Sequence, residues 1–316
     1  MKKILIILML VFFSGLVIGC NDEDEGYGEL IIENMVIYTN FPEKPNPVFT
    51  NSKYKDLEIT YTIYDEGDYI VFEDGYFIAT DDYEVEVEAT TKYHTTSFIV
   101  EARVYQDMNQ SFYLNRVKEN EQKWKNAGSP TGGTVFIGDS FFDTEFWSNF
   151  YTTYTDGNTF ANGVSSSTIK DWKLFANRLL YPLNPENIVI HLGTNDFYDD
   201  KDDSDTVLSN LIELIENIHN RLPDAKIYYF AIEPRTCAIA NYDNPFTKTD
   251  YDILTNFNAS FNKFCSENEY ITYLDLTSKC YSSGHIVNSS FFRDGVHPTL
   301  NNYLYYVNEL KKAGLK

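Results

Sequence analysis

From Thr134 to the C-terminus, short apolar runs alternate with longer amphipathic stretches, and this alternation confines the second half of the chain to one class of fold. Thr134–Ile137, Ile188–Leu192, Lys226–Ile232 and Ile271–Leu276 are strand-forming runs rich in β-branched and aromatic residues. Thr168–Leu180, Thr206–Leu222, Thr255–Asn268 and Leu300–Ala313 read as helices. Ser204 or Asp205 stands where a cap for the second helix is needed, and Pro223 ends it. Strands separated by helices of this length make βαβ units, so a parallel sheet with helices on both faces is expected over residues 134–316.

Open α/β sheets place their chemistry at the carboxyl ends of the strands. The first strand, Val135-Phe136-Ile137, runs straight into Gly138-Asp139-Ser140, where the glycine lets the backbone bend and the serine presents a hydroxyl. Alone, Gly-Asp-Ser is a common turn. Three further blocks follow in order: Gly163, then Gly193-Thr194-Asn195-Asp196 at the end of the strand Ile188–Leu192, then Asp294-Gly295-Val296-His297. The ordered set resembles the SGNH (GDSL-type) serine hydrolase family. That resemblance implies a three-layer α/β/α domain and ester hydrolysis through an acyl-serine, with no metal or cofactor.

A serine hydroxyl is a poor nucleophile until a base takes its proton, and the base must be held in one tautomer. Asp294 and His297 are three residues apart, and Gly295 permits a turn that folds the carboxylate back onto one imidazole nitrogen. The resemblance makes Ser140 the nucleophile, His297 the general base and then acid, and Asp294 the orienting carboxylate. It places the oxyanion donors on the backbone N–H of Ser140, the backbone N–H of Gly163 and the side-chain amide of Asn195. Asp139 and Asp196 are expected to brace their loops. Phe141 departs from the smaller residue usual after the nucleophile, and Phe142 follows; packing beneath the turn is preferred to narrowing of an acyl pocket. Glu233-Pro234-Arg235, after the third strand, stands at the same rim, where contact with substrate is one reading and a surface ion pair the preferred one.

Other chemistries find little footing. Asp199-Asp200-Lys201-Asp202-Asp203-Ser204-Asp205 lacks the glycine and ligand spacing of a calcium loop and reads as a solvated lead into a helix. His94, His191, His219 and His285 fall in no metal spacing, and neither GxxxxGK[ST] nor GxGxxG occurs. The GxSxG elbow of ordinary α/β-hydrolases is absent. A net charge of −22 argues against nucleic acid or an anionic membrane face as partner.

The first third is built differently. Lys2 and Lys3 precede an uncharged apolar run, Ile4 to Gly19, too short to span a bilayer comfortably. It ends Leu16-Val17-Ile18-Gly19-Cys20, which resembles the lipobox of bacterial lipoproteins and makes Cys20 the lipidated first residue of the mature chain. A plain transmembrane anchor or an ordinary cleaved signal is the alternative. Residues 21–27 then form an acidic tether, like that of some surface-exposed lipoproteins. Residues 28–106 alternate apolar and polar positions, as in Leu57–Tyr64 and Tyr83–Glu88, with Asp74-Gly75 as a hairpin turn. This rhythm resembles bacterial immunoglobulin-like β-sandwiches. Residues 107–133 are expected to link the two domains; Met108–Asn126 fits a helix or a folded-over connector. Of the 25 tyrosines, some can stack on sugars, though filling of β-strands is the commoner use. Cys237, Cys265 and Cys280 show no CxxC spacing; a Cys265–Cys280 disulfide is conceivable.

The sequence thus points to a lipid-anchored extracytoplasmic esterase whose substrate is a small-molecule or polysaccharide ester, with an O-acetylated carbohydrate preferred. A lipase or lysophospholipase is the enzymatic alternative, kept open by Phe141, Phe142, Phe146 and Trp147 near the nucleophile. A non-catalytic glycan-binding lipoprotein is the alternative of another kind, and the complete Ser140, Asn195, Asp294 and His297 set argues against it.

Overall fold

The four apolar runs become neighbours in one parallel sheet, joined at its edge by a fifth strand, Thr159–Ala161, too short to leave a periodic signal. The computed structural model describes residues 26–39, 41–64, 67–104, 110–143, 159–198, 202–239 and 241–315. Across the sheet the order is Thr159–Ala161, Thr134–Gly138, Asn187–His191, Lys226–Phe230, Ile271–Leu274. Register places Ile190 opposite Ile137 and His191 opposite Gly138, so the segments carrying Ser140 and Asn195 leave the sheet at the same rim.

Both faces of the sheet are covered, which is why its strands lack a polar face. Ile137, Ile190 and Tyr229 point into a core shared with the helices Ile169–Leu179, Ser204–Arg221 and Lys248–Ser266. Phe136, Val189, Tyr228 and Phe230 alternate with them and pack against the last helix, Tyr303–Lys312. The result is the three-layer α/β/α arrangement.

Helix starts follow local hydrogen bonding more closely than apolar periodicity. Thr168 with Asp171, and Thr247 with Asp250, form reciprocal capping boxes. The second box starts its helix at Lys248, seven residues before the expected Thr255, because Thr247-x-x-Asp250 satisfies the orphan N–H groups there. Asp203, rather than Ser204 or Asp205, caps Ser204–Arg221 by accepting from the N–H groups of Asp205 and Thr206. Such a cap contributes roughly 1 kcal/mol. The last helix begins at Tyr303, not Leu300.

The N-terminal region is strand-rich and has its own core of Ile37, Phe77, Val87, Phe98 and Val100. Its main sheet runs Met35–Tyr38, Thr95–Arg103, Tyr83–Thr90, Thr60–Ile63, the first pair parallel and the others antiparallel. Asp74 and Gly75, both at positive φ, turn the hairpin Ile70–Glu73 to Tyr76–Ala79.

Within the stretch expected to link the domains, Gln110–Asn126 is a helix packed onto the sheet domain. Tyr113 and Val117 enter the core that holds Trp172 and Phe175. Phe41, from the strand-rich region, enters the same core with its ring 5.7 Å from that of Phe175. Cys265 and Cys280 are free thiols, so the conceivable disulfide does not form. Among the described residues no helix is long and apolar enough to cross a membrane. Cys20 and the signal-like run, Phe146 and Trp147 lie outside the described residues.

Candidate active site

Asp139 ends the strand Thr134–Gly138 and starts the turn Ser140–Phe142 by accepting from the Phe141 N–H at 3.0 Å. Phe141 stacks on the His191 ring with centroids 3.8 Å apart and planes 13° from parallel, and Phe142 is fully buried. These aromatics pack beneath the Ser140 turn and hold it from below. The Ser140 hydroxyl is left at the rim, half-buried.

Asp294 and His297 meet it from the other side. The Asp294 carboxylate accepts from the Val296 and His297 backbone N–H groups and pairs with His297 Nδ1 at 2.8 Å. Gly295 at φ +86° makes the tight turn possible. The opposite ring nitrogen, His297 Nε2, lies 2.7 Å from Ser140 Oγ. Partial burial pushes the Asp294 carboxyl up, but hydrogen bonds from His297 and Val296 outweigh it and the net shift is downward. Asp294 is therefore the ionised partner that fixes one tautomer of His297.

The segments that carry Ser140, Gly163 and Asn195 add three hydrogen-bond donors. Val164 N–H bonds to the Gly138 carbonyl and Asn162 N–H to that of Phe136, so the intervening Gly163 N–H faces away from the strand. It makes no hydrogen bond among the described residues, and neither does the Ser140 N–H. Asn195, 4% exposed, gives one amide hydrogen to the Ser167 carbonyl at 3.0 Å and keeps the other. Asp196 braces this loop, both oxygens accepting from the Ile169 N–H. The structure thus brings Ser140, Gly163, Asn195, Asp294 and His297 to one rim, while Cys20 lies outside the described residues.

Residues 136–303 match the GDSL-like Lipase/Acylhydrolase family. The chain belongs to that family. As a GDSL-like acylhydrolase it is a carboxylic-ester hydrolase. Solved structures share the fold: a Streptococcus pneumonia protein described as a platelet activating factor matches at 17% identity and TM-score 0.53, over 65% of this chain and 95% of its own. A Bacteroides fragilis protein described as an acylhydrolase matches at 21% identity and TM-score 0.51, over 61% of this chain and 94% of its own. A GDSL-like lipase from Bacteroides thetaiotaomicron matches at 18% identity and TM-score 0.51, over 61% and 96%. At such identities the likeness speaks for the fold alone. No curated protein matches the sequence.

One expectation about this acylhydrolase fails. Glu233 and Arg235 are not a surface ion pair; they are 2% and 6% exposed. Glu233 Oε2 is 2.7 Å from His191 Nε2, and its other oxygen accepts from the Tyr306 hydroxyl. His191 Nδ1 is 3.2 Å from Asp139. Arg235 donates to Asn195 Oδ1 at 2.8 Å. The reason is positional: the strand below is buried to Ile232, and charges set directly on the end of a buried strand are buried with it. His191, a lone histidine in an apolar strand, was the available signal that buried carboxylates lay nearby. Among the described residues no group of three or more His, Cys, Asp or Glu side chains is arranged to hold a metal ion.

Proposed function

We propose that this chain is a lipid-anchored, extracytoplasmic serine esterase that removes O-acetyl groups from a carbohydrate. The observation that carries the enzymatic part is the unbroken series Asp294, His297 Nδ1, His297 Nε2, Ser140 Oγ, with both contacts under 3 Å. His297 takes the Ser140 proton as Oγ attacks the ester carbonyl, and Asp294 stabilises the imidazolium that forms. Negative charge on the former carbonyl oxygen is met by the N–H groups of Ser140, Gly163 and Asn195. His297 returns the proton to the departing alcohol, then activates a water that releases the acid and regenerates Ser140. No step calls for a metal or cofactor.

The carbohydrate part draws on a groove of about 380 Å³ beside the edge strand Ile271–Leu274, lined by Tyr251, Tyr273, Tyr281, Asn262 and Asp275; none of the five site residues lines it, so it would hold a sugar chain away from the reacting ester. Tyrosine faces with nearby amide and carboxylate groups suit a polyhydroxylated ring. Export and anchoring rest on the N-terminal charge, the apolar run and Cys20. The strand-rich region, read as an immunoglobulin-like domain over 28–106, serves as a spacer. The long-chain lipase reading loses two supports, since Phe141 and Phe142 are consumed by packing.

The test is turnover of 4-nitrophenyl acetate, butyrate and palmitate beside acetylated xylan and pectin. Acetate release from a polymer, with palmitate poorest among the small esters, is expected. Preference for palmitate would replace this reading with a lipase, and no turnover of any ester would leave a binding protein. Metabolic labelling with a fatty-acid analogue, lost in Cys20→Ala, checks the anchor.

A further inference from the structure

The tetrapeptide Glu233-Pro234-Arg235-Thr236 is linked to three parts of the site, the first through His191. Glu233 reaches His191, whose other nitrogen meets Asp139 beside the nucleophile. Arg235 holds the Asn195 amide oxygen. The Thr236 N–H donates at 2.9 Å to the Gly295 carbonyl, inside the turn that brings Asp294 to His297. One short segment is therefore fastened to the nucleophile turn, the oxyanion amide and the base.

We propose that Arg235 is a positioning residue for the oxyanion, fixing which end of the Asn195 side chain faces the reacting carbonyl. The proposal rests on Asn195 being an oxyanion donor in the esterase described above. The two ends of an asparagine amide have nearly the same shape and opposite hydrogen-bonding character. In the observed orientation Oδ1 accepts from the guanidinium and Nδ2 donates to the Ser167 carbonyl, which leaves one N–H for the substrate. A flipped amide sets donor against donor at Arg235 and acceptor against acceptor at Ser167. It also turns an oxygen, in place of an N–H, toward the developing negative charge.

Arg235 is itself locked. Its guanidinium lies 4.4 Å from the Tyr198 ring centroid, and its backbone N–H donates to the Tyr198 hydroxyl at 3.2 Å. Tyr198 and Asn195 share the short helix Thr194–Tyr198, so the arginine grips two side chains of one element. The charge has a second effect. A cation on Oδ1 draws electron density through the amide and makes the remaining N–H a stronger donor. Lysine can supply the charge but not the planar fork that spans both contacts.

The experiment is a cycle of Arg235→Met, Arg235→Lys and Asn195→Ala in the full chain, with kcat and KM on 4-nitrophenyl acetate and Tm by calorimetry. Loss of an oxyanion donor costs roughly 10²–10³ in kcat, so Asn195→Ala should fall in that range and Arg235→Met below it, at about 10–10², with KM little changed. Arg235→Lys should recover part of the loss. In the Asn195→Ala background, Arg235→Met should reduce kcat no further, because the residue it orients is gone. Losses that multiply in the double variant, a change confined to KM, or wild-type kcat in both arginine variants would overturn the proposal. If Arg235→Met does not fold, the same cycle with Arg235→Lys decides the matter. Wild-type kcat in Asn195→Ala would remove the oxyanion reading as well, an outcome distinct from failure at Arg235 alone.

Discussion

Ser140 stands on a turn between two histidines that the fold treats in opposite ways. His191 is fully buried, with Asp139 on one ring nitrogen and Glu233 on the other. Its side chain is 0% exposed, against 15% for His297, whose carboxylate partner Asp294 is 44% exposed. Burial alone pulls the His191 pKa down, but two carboxylates in contact outweigh it and lift the value to about 10. Held as an imidazolium with both N–H groups engaged, His191 cannot accept a proton from anything. His297 has a carboxylate on one nitrogen only and offers the other to Ser140. The same pairing of side chains makes a fixed prop in one place and, in the proposed mechanism, a proton carrier in the other; the number of partners and access to the rim distinguish them.

The largest expected effects fall on the rim. Ser140→Ala and His297→Gln should each lower kcat by about 10⁴–10⁶ with Tm nearly unchanged, and a fluorophosphonate probe should label wild type but not Ser140→Ala. Labelling of a different serine would show that the reacting hydroxyl has been misplaced. His191→Gln should reverse the pattern. Removing the cation between two buried carboxylates costs about 3–5 kcal/mol, read in a denaturant titration, and any loss of turnover should follow the displaced Phe141. A stable, inactive His191→Gln would put that histidine in the chemistry and end the comparison.

A smaller effect comes with pH. The folded pKa of His191 is raised from 6.5 to about 10, so the folded state holds this proton more tightly than the unfolded chain does. The stabilisation is complete below the unfolded value and drains away as pH rises through the folded one. Unfolding midpoints should decline across that alkaline window in the wild type, and less steeply in His191→Gln. Parallel curves would mean that the cluster does not carry the charge assigned to it. The smallest effect on catalysis is expected from the N-terminal region. Phe41→Ala should cost about 3–5 kcal/mol through the cavity left beside Phe175, yet leave kcat/KM on a small ester within a few-fold. A selective loss of activity would make the strand-rich region part of the site instead of a spacer.

What the sequence made legible was local. Apolar runs of the right length located four of the five sheet strands, and glycine-punctuated blocks at their ends picked out the segments that converge on the rim. Thr159–Ala161 escaped because three residues carry no period. Glu233 and Arg235 were placed at the right rim but read as a surface pair, because their partners, His191 and Asn195, lie about forty positions away, and a charged residue on a strand end looks the same in sequence whether it meets solvent or a buried histidine. Helix starts were set by side-chain caps such as Thr247 with Asp250, which apolar spacing does not register.

The tight seat of Gly163 bears on how such an enzyme can be re-tuned. A first side-chain carbon there would stand 2.3 Å from the Phe142 carbonyl carbon and 2.4 Å from the Asp143 nitrogen, both in the backbone that carries the nucleophile turn. Any substitution at 163 must therefore shift Ser140 before it alters the proposed donor, and that donor, being main chain, survives every substitution except proline, which has no N–H. On the proposed mechanism, charge stabilisation can be graded step by step only through the Asn195 side chain and the Arg235 that holds it. The remaining donors belong to the architecture and move only when the architecture does.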